Sequence, residues 1–197
     1  NSLLSAIYGG SVAGPSAVRY VNGLERSADS LPDSLYDNHV FEQTEKWNHI
    51  LSMNGTENAY SLHKELGEWM TDNVTVVRYN DKLQETDNKI QELLERWENI
   101  NIHDTAKWSN QGASFTRQLF NMLQLARVIT LGALKRDESR GAHYKPDFPD
   151  RNDEDFMKTT MADFVDSKSA PNIYYEDIDV SLIKPRKRDY TKSKGAN

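Results

Sequence analysis

The sequence predicts a mainly α-helical protein centred on an antiparallel three-helix bundle, with a helix before the bundle and an extended or short β segment after it. Two observations predict this fold. Apolar residues recur at helical spacing in three successive stretches within residues 59–141, and the links between these stretches are short. Each stretch has one apolar stripe and a charged reverse face, so it is unstable alone and packs economically against the other two. The remaining sequence divides into residues 1–22, 23–58 and 142–197.

Composition limits the class of protein. The chain has 197 residues, of which 27% are charged, with a net charge of −6 and no cysteine. An acidic balance argues against nucleic acid as a partner, because neutralising phosphates requires a basic face. The lack of cysteine excludes a disulfide framework, a thiolate metal site and a cysteine nucleophile.

Residues 1–22 are small and apolar and predict a helix. Gly10 and Gly14 would share one helix face and allow close approach to another backbone. The alternative is a phosphate loop between Gly9 and Gly14, but Ser11 replaces the second glycine of GxGxxG and no strand precedes it. Because an uncovered apolar stretch starts at once, without a charged leader, we expect the sequence to begin inside a longer protein.

Residues 23–58 are polar and irregular and are interpreted as an insertion or linker with one short helix around Asn38–Leu51. His39, Glu42 and His49 would be candidate metal ligands in this segment. Their spacing matches no strong ligand motif, so solvated polar residues are the favoured interpretation and no metal site is predicted.

The bundle helices are predicted from their apolar stripes. The first stripe consists of Leu62, Leu66, Trp69 and Met70. The second consists of Leu83, Ile90, Leu94, Trp97 and Ile100. The third alternates steps of four and three, as in a heptad seam, through Phe115, Leu119, Met122, Ala126, Ile129 and Ala133. Asp81 and Gln84 resemble a capping box at the start of the second helix, and Gly141 is predicted near the end of the third.

Residues 142–197 change character again. A loop rich in Pro and Asp comes first, and the alternation in Ile173–Leu182 then predicts a short strand or a hairpin arm. The last residues, 184–197, form a basic tail, which is either solvated or in contact with an acidic partner.

No catalytic motif is present: the sequence lacks HExxH and GxSxG, and its acidic cluster at 147–155 lacks the spacing of a calcium loop. The most chemically loaded run is KRDESRGAH at 135–143. In physical terms it is a helix end at which cations offset the negative dipole and Gly141 permits a turn.

The same run carries a family resemblance. ALKRDESRGAHYKPDFPDRNDEDFMK is very similar to the signature near the C-terminus of succinate dehydrogenase and fumarate reductase flavoproteins. NSLLSAIYGGSVAG resembles the second flavin-binding segment of that family, MTDNVTVVRYNDKL and FNMLQLARVITLGAL follow in family order, and KPRKRDY resembles the closing segment. The resemblance covers nearly the whole chain and is closest to the Gram-positive bacterial type. Departures are Ser11 and Lys145, where arginine is common in relatives.

The resemblance implies a role in a larger enzyme. Such a flavoprotein passes a hydride from succinate to FAD, yielding fumarate, and electrons leave through an iron–sulphur subunit to membrane quinone. Residues 1–22 would be a remnant of the FAD-binding domain, in which Ser2 and Leu3 match flavin contacts. The resemblance also implies a membrane anchor subunit as a partner. It further implies a location at the cytoplasmic face of the bacterial membrane. The family's catalytic residues lie upstream, so no catalytic residue is expected in this chain.

Some alternatives stay open at this stage. Arg140 and His143 could brace the flavin domain or could lock a helix end by hydrogen bonds, and the second interpretation is favoured because cations are common at helix C-termini. The parent could be a fumarate reductase or an L-aspartate oxidase. From another class, the chain could be a free-standing, spectrin-repeat-like interaction module, which would leave its apolar N-terminal segment uncovered.

We predict that the chain alone binds no FAD tightly and oxidises no succinate, because the resemblance places the remaining flavin and substrate residues upstream of NSLL. The absorbance spectrum of the purified protein after incubation with FAD and desalting tests this. A stoichiometric flavin spectrum would contradict the prediction.

Overall fold

The computed structural model describes residues 2–186, which form two compact units with a boundary between Asn48 and His49. The helices and strands, in chain order, are α1 (Ser2–Asn22), a 3-10 turn (Ala28–Ser30), α2 (Asp33–Leu51), α3 (Ala59–Val74), α4 (Asn80–Trp97), α5 (Gln111–Leu134), α6 (Asp153–Phe156), β1 (Lys158–Asp163) and β2 (Asn172–Asp177). The predicted mainly helical fold with a small β segment is confirmed. Within residues 2–186, no helix is both long enough and apolar enough to cross a membrane.

The first unit contains the predicted N-terminal helix, α1. Gly9 and Gly14 both lie inside this helix, so the phosphate-loop alternative is wrong. A side chain added at Gly10 or Gly14 would meet no heavy atom within 4 Å, which leaves the backbone open on that face. The large side chains of α1 are also exposed, with Leu3 at 80% and Leu4 at 74% of full exposure.

The second helix, α2, is longer than predicted. It begins at Asp33 instead of near Asn38 and ends at Leu51. The polarity of residues 33–37 suggested a loop, but this stretch contains neither glycine nor proline. Asp33 in the first turn also places a negative charge at the positive end of the helix dipole.

In the second unit, α3, α4 and α5 form the predicted bundle. Tyr60 near the start of α3 stacks on Phe115 near the start of α5, with ring centroids 4.3 Å apart. At the opposite ends of these helices, Val74 and Ala133 share one core cluster. Trp97 at the end of α4 donates from Nε1 to a carbonyl oxygen in the first half of α5, at 2.8 Å. Therefore α3 and α5 run in the same direction and α4 runs against both.

The buried stripe of α5 differs from the predicted heptad seam. Ile129 is 52% exposed, and Phe115 and Met122 are half-buried. The residues on the buried face are Ala113, Thr116, Leu119, Leu123, Ala126, Arg127, Thr130 and Ala133. Leu119, Ala126 and Ala133 are buried as predicted, but the other buried positions are taken by Leu123, Arg127, a further alanine and two threonines. A similar shift occurs in α4, in which Leu93 is buried and Leu94 is half-buried.

Two predicted helix ends are wrong. The N-cap of α4 is Tyr79, without a side-chain cap, and the Gln84 side chain donates to Asn88 instead of closing a capping box with Asp81. Helix α5 ends at Leu134, before the predicted end near Gly141. Gly141 has a φ of +61° and occupies the turn that follows, a conformation that favours glycine.

The predicted strand around Ile173 pairs with β1, a partner that the sequence pattern did not reveal. The two strands are antiparallel, in register from Lys158↔Asp177 to Asp163↔Asn172. The hairpin contacts α5, and the hydroxyl of Tyr175 donates to the carbonyl of Lys135, the C-cap residue of that helix, at 3.0 Å. Of the predicted basic tail, the part from residue 187 onward lies outside the described residues.

A close backbone contact fixes the entrance to the bundle at Gly55. Its N–H donates to the carbonyl of Ile100 at 3.1 Å. A Cβ at this position would lie 1.9 Å from the backbone oxygen of Asn99. The loop before α3 and the end of α4 therefore fit together only with glycine at position 55.

We predict that Gly55→Ala lowers the free energy of unfolding by about 1–3 kcal/mol, since the backbone must move to relieve the clash. Urea unfolding followed by circular dichroism measures the change. The matched control is Gly67→Ala. Gly67 is exposed in the middle of α3, and a Cβ added there meets no heavy atom within 4 Å. This control should raise stability by about 0.5–1 kcal/mol, through helix propensity. Equal effects of the two substitutions would contradict the steric argument.

Candidate functional site

The candidate residues from the sequence fall in both units. Ser2 and Leu3 are exposed residues in the first turn of α1, in the first unit. Arg140 and His143 lie in the second unit and form the two ends of the turn after α5, in which each residue's N–H donates to the carbonyl of the other. The structure surrounds this turn with further charged side chains.

We call this group of charged side chains the polar junction. One member comes from the loop between α3 and α4, and the others come from the segment between α5 and α6. Its members are Arg78, Arg136, Asp137, Glu138, Arg140, His143 and Lys145.

Glu138 is the centre of the polar junction. Its side chain is 0% exposed, and its carboxylate accepts hydrogen bonds from Nε of Arg136 and Nε of Arg140, each at 2.8 Å. The backbone N–H of Asn152 donates to the same carboxylate at 2.8 Å. Burial alone would raise the pKa of Glu138, but the hydrogen bonds from Arg140, Asn152 and Arg136 outweigh it and lower the pKa below 4.5.

The two arginines carry the contacts outward from Glu138. Arg140 also donates to Asp153 at the start of α6, at 2.7 Å. Arg136 donates to the Thr160 hydroxyl in β1 at 3.0 Å and to the carbonyl of Phe156. These contacts join the segment after α5 to both α6 and the hairpin, as expected of residues that lock a helix end.

Lys145 is a buried cation, with 1% of its surface exposed. Its Nζ donates to the carbonyl of Leu134, at the C-terminus of α5, and to Oδ1 of Asp137, at 3.0 and 2.8 Å. Burial lowers the pKa of Lys145 and the ion pair with Asp137 opposes that shift, leaving it below the ordinary value. The ammonium group therefore satisfies one of the carbonyls that the end of a helix leaves unpaired.

Arg78 does the same for α3. Its guanidinium donates to the carbonyls of Val74 and Thr75 at 2.9 and 3.0 Å, and its third contact is with Nδ1 of His143. The other ring nitrogen of His143, Nε2, lies 2.9 Å from the carbonyl oxygen of Arg136. Burial lowers the pKa of His143 below 6.5; the hydrogen bond to the Arg136 carbonyl opposes this shift, and the positive charges of Arg78, Lys145 and Arg136 add to it. His143 thus joins the C-terminal ends of α3 and α5.

A second buried ion pair lies further along the bundle. Nε of Arg127 in α5 donates to Asp87 in α4 at 2.9 Å, with side chains only 6% and 5% exposed. Arg127 also donates to the carbonyl of Ser169 at 3.1 Å, which fastens the hairpin loop. A groove of about 500 Å³ lies beside this pair, but the guanidinium is already paired with Asp87.

The charged side chains of the polar junction pair mainly with one another and with backbone groups. Within residues 2–186, no group of three or more His, Asp or Glu side chains is arranged to hold a metal ion. The carboxylates of the polar junction are held by arginine, lysine or asparagine. They are engaged in salt bridges.

Sequence reasoning missed two members of the junction. Arg78 lies 65 residues from His143 in the chain, and nothing in its local sequence indicated the contact. Lys145 was noticed only as a departure from arginine, and its burial was not predicted. A buried lysine is uncommon, and only the fold reveals the carbonyl and carboxylate that surround it.

The family model described as "Fumarate reductase flavoprotein C-term" matches residues 63–190, a range that includes the whole polar junction. The chain belongs to this family. The resemblance to the C-terminal part of a succinate dehydrogenase or fumarate reductase flavoprotein is thereby confirmed.

Individual relatives agree with the family. The chain is 70% identical to the succinate dehydrogenase flavoprotein subunit of Bacillus subtilis over 196 residues, covering 100% of this chain and 33% of the relative. It is 30% identical to the fumarate reductase flavoprotein subunit of a Serratia strain, covering 96% of this chain and 31% of the relative. The chain thus spans about one third of the length of these curated relatives.

A solved structure with lower sequence identity confirms the fold. The Escherichia coli quinol fumarate reductase flavoprotein superimposes with a TM-score of 0.75 at 26% identity. The superposition covers 80% of this chain and 27% of that one. Most of the chain therefore has a fold that is also found in that fumarate reductase.

We predict that Glu138→Gln lowers the free energy of unfolding at pH 7 by about 2–3 kcal/mol, because it removes the buried negative charge that pairs with Arg136 and Arg140, while Arg140 keeps its ion pair with Asp153. The folded-state pKa of Glu138 lies below the ordinary 4.5. Its contribution is therefore full above that pH and is lost as the pH falls through the folded-state pKa. Urea unfolding at pH 7 and at pH 3.5 should show a smaller difference between variant and wild type at the lower pH.

The control for this prediction is Glu68→Gln, which removes an exposed i,i+4 partner of Lys64. We expect it to change stability by less than about 0.5 kcal/mol. If Glu138→Gln were as mild as this control, the junction would not depend on the buried carboxylate.

Proposed function

We propose that this chain is the C-terminal helical domain of a succinate dehydrogenase flavoprotein and supports the FAD-dependent oxidation of succinate to fumarate. The supporting observation is the 70% identity to the Bacillus subtilis subunit across the whole chain, against 30% to the Serratia fumarate reductase subunit. In this proposal electrons leave through an iron–sulphur subunit to membrane quinone. A membrane anchor subunit holds the complex at the cytoplasmic face of the bacterial membrane.

The proposed cofactor is FAD, and the residues present at the start of α1 fit it. Leading N–H groups of a helix have no intrahelical partner and carry partial positive charge, which suits an electron-rich flavin edge. Ser2 and Leu3 would hold the cofactor there, and both are exposed. When bound, FAD accepts the hydride taken from succinate. The open glycine face of α1 leaves room for close approach by the rest of the flavin-binding domain.

In this proposal the bundle gives structural support to the rest of the flavoprotein. The polar junction holds the ends of two helices, a short helix and the hairpin in fixed relation, through side chains that are already paired. A domain of this kind orients its neighbour and transfers no proton itself. The acid–base and substrate-binding groups of the enzyme belong to the preceding part of the flavoprotein.

Fumarate reduction is the second candidate, favoured by the family model and by the Escherichia coli structure. The bundle does not distinguish the two directions, because direction depends on the redox partner. L-aspartate oxidase is a more distant alternative. A free-standing helical module does not account for the 70% identity to a flavoprotein subunit.

A chimera tests the proposal. The corresponding third of the Bacillus subtilis flavoprotein is replaced by this chain, and flavin content and quinone reduction by succinate are measured in membranes. We predict flavin content and activity comparable to those of the parent enzyme, because the interfaces are those of a close relative. The reverse reaction, measured with reduced ubiquinone and menaquinone analogues, separates the dehydrogenase from the reductase.

The control chimera carries Glu138→Gln, which should reduce the amount of assembled complex more than the turnover per flavin. A chimera that accumulates in membranes but contains no flavin, or contains flavin and fails to oxidise succinate, would contradict the proposal.

A further inference from the structure

The contacts of His143 fix its protonation state. A guanidinium group can only donate hydrogen bonds, so Nδ1 of His143 must accept from Arg78 and carries no proton. A backbone carbonyl can only accept, so Nε2 must carry a proton and donate to Arg136. Both conditions hold together only in the neutral imidazole with its proton on Nε2.

A second proton has no favourable place on this ring. It would have to bind at Nδ1, where the Arg78 guanidinium donates, so two donors would face each other. The neighbouring charges are Arg78 from the α3–α4 loop and Arg136, Asp137 and Lys145 from the histidine's own segment after α5. Three of these are cations, and the carboxylate of Asp137 is already bonded to Lys145 and Asn80.

The contact between Arg78 and His143 spans an important seam. The loop after α3 and the segment after α5 are also joined by two backbone hydrogen bonds, from Arg78 N–H to Tyr144 O at 2.9 Å and from Tyr144 N–H to Val76 O at 3.2 Å. Apart from these, Arg78 is held by the carbonyls of Val74 and Thr75, on its own side of the seam. Loss of the histidine contact would therefore leave the seam joined by these two backbone bonds and by the hydrogen bond from Asn80, directly after the loop, to Asp137.

We infer that His143 is a pH-sensitive latch: when neutral it ties the loop after α3 to the segment after α5, and when protonated it releases Arg78 and loosens this end of the bundle. The inference rests on the donor and acceptor chemistry of the side chains and on the three cations around the ring. It does not depend on the proposed function.

The direction of the pH effect follows from linkage. Burial and the surrounding cations hold the pKa of His143 below the ordinary 6.5 when the latch is closed. The open state therefore binds the proton more readily than the closed state does. The latch contributes fully above that ordinary value, and its contribution is lost as the pH falls below it toward the closed-state pKa.

Nuclear magnetic resonance of the full chain tests the tautomer and the titration directly. We expect the imidazole at pH 7.5 to be neutral, with its proton on Nε2, and to titrate below pH 6.5, the ordinary value. In Arg78→Met, which removes the opposing donor, the midpoint should move upward. A proton on Nδ1, or a ring already charged at neutral pH, would overturn the inference without any variant.

Hydrogen exchange tests the release. The test follows the protection factors of the Arg78 and Tyr144 amides, corrected for intrinsic exchange. As the pH decreases from the open-state pKa of His143 to its closed-state pKa, these factors should fall by up to about tenfold per pH unit. His143→Gln keeps a donor near the position of Nε2 but does not titrate, so this pH dependence should disappear.

His103→Gln removes a histidine from an exposed loop and should leave the pH dependence intact. Circular dichroism confirms that each variant is folded before exchange is measured. Protection factors that fall equally with pH in wild type and in His143→Gln would overturn the latch.

Discussion

The second unit depends on the buried carboxylate of Glu138 between two arginines. Its 0% exposure means that the charge has no solvent to stabilise it, so it persists only because three donors surround it. The three residues that donate also reach the two elements that follow, the hairpin and α6. Arg136 contacts the hairpin, Arg140 contacts the start of α6, and Asn152 caps α6. One desolvated charge therefore fixes the relative position of the elements that follow the bundle.

The direction of the helices explains why so many cations gather at this end. Because α3 and α5 run in the same direction, their C-termini meet, and two sets of unpaired carbonyls with partial negative charge come together. Arg78 donates to the end of α3 and Lys145 to the end of α5. Between two fixed cations, His143 remains neutral and completes the contact. An up–down–up bundle thus creates the electrostatic setting for the junction.

Periodicity in the sequence was enough to predict the bundle, because each helix has a wide apolar face. The rotation of α5 was not predictable in this way, since Thr116 and Thr130 occupy core positions that apolar patterns ignore. The sequence indicated only part of the polar junction. The run containing Arg140 and His143 was recognised, but Arg78 was not, because it comes from a distant loop. The β1 strand was missed because its residues, Lys158–Asp163, do not alternate clearly between apolar and polar side chains.

The segment between α5 and α6 contains many charged residues because part of its backbone depends on side chains for hydrogen bonds. Isolated turn and bridge contacts pair some of the amides and carbonyls there, and side chains pair others. Ser139 accepts from the N–H of Lys145 and donates to the carbonyl of Phe148, while Glu138 accepts from the N–H of Asn152. Apolar side chains of equal volume could fill the same space but would leave these backbone groups unsatisfied. The charged motif therefore specifies the path of an irregular segment that hydrophobic packing alone would not determine.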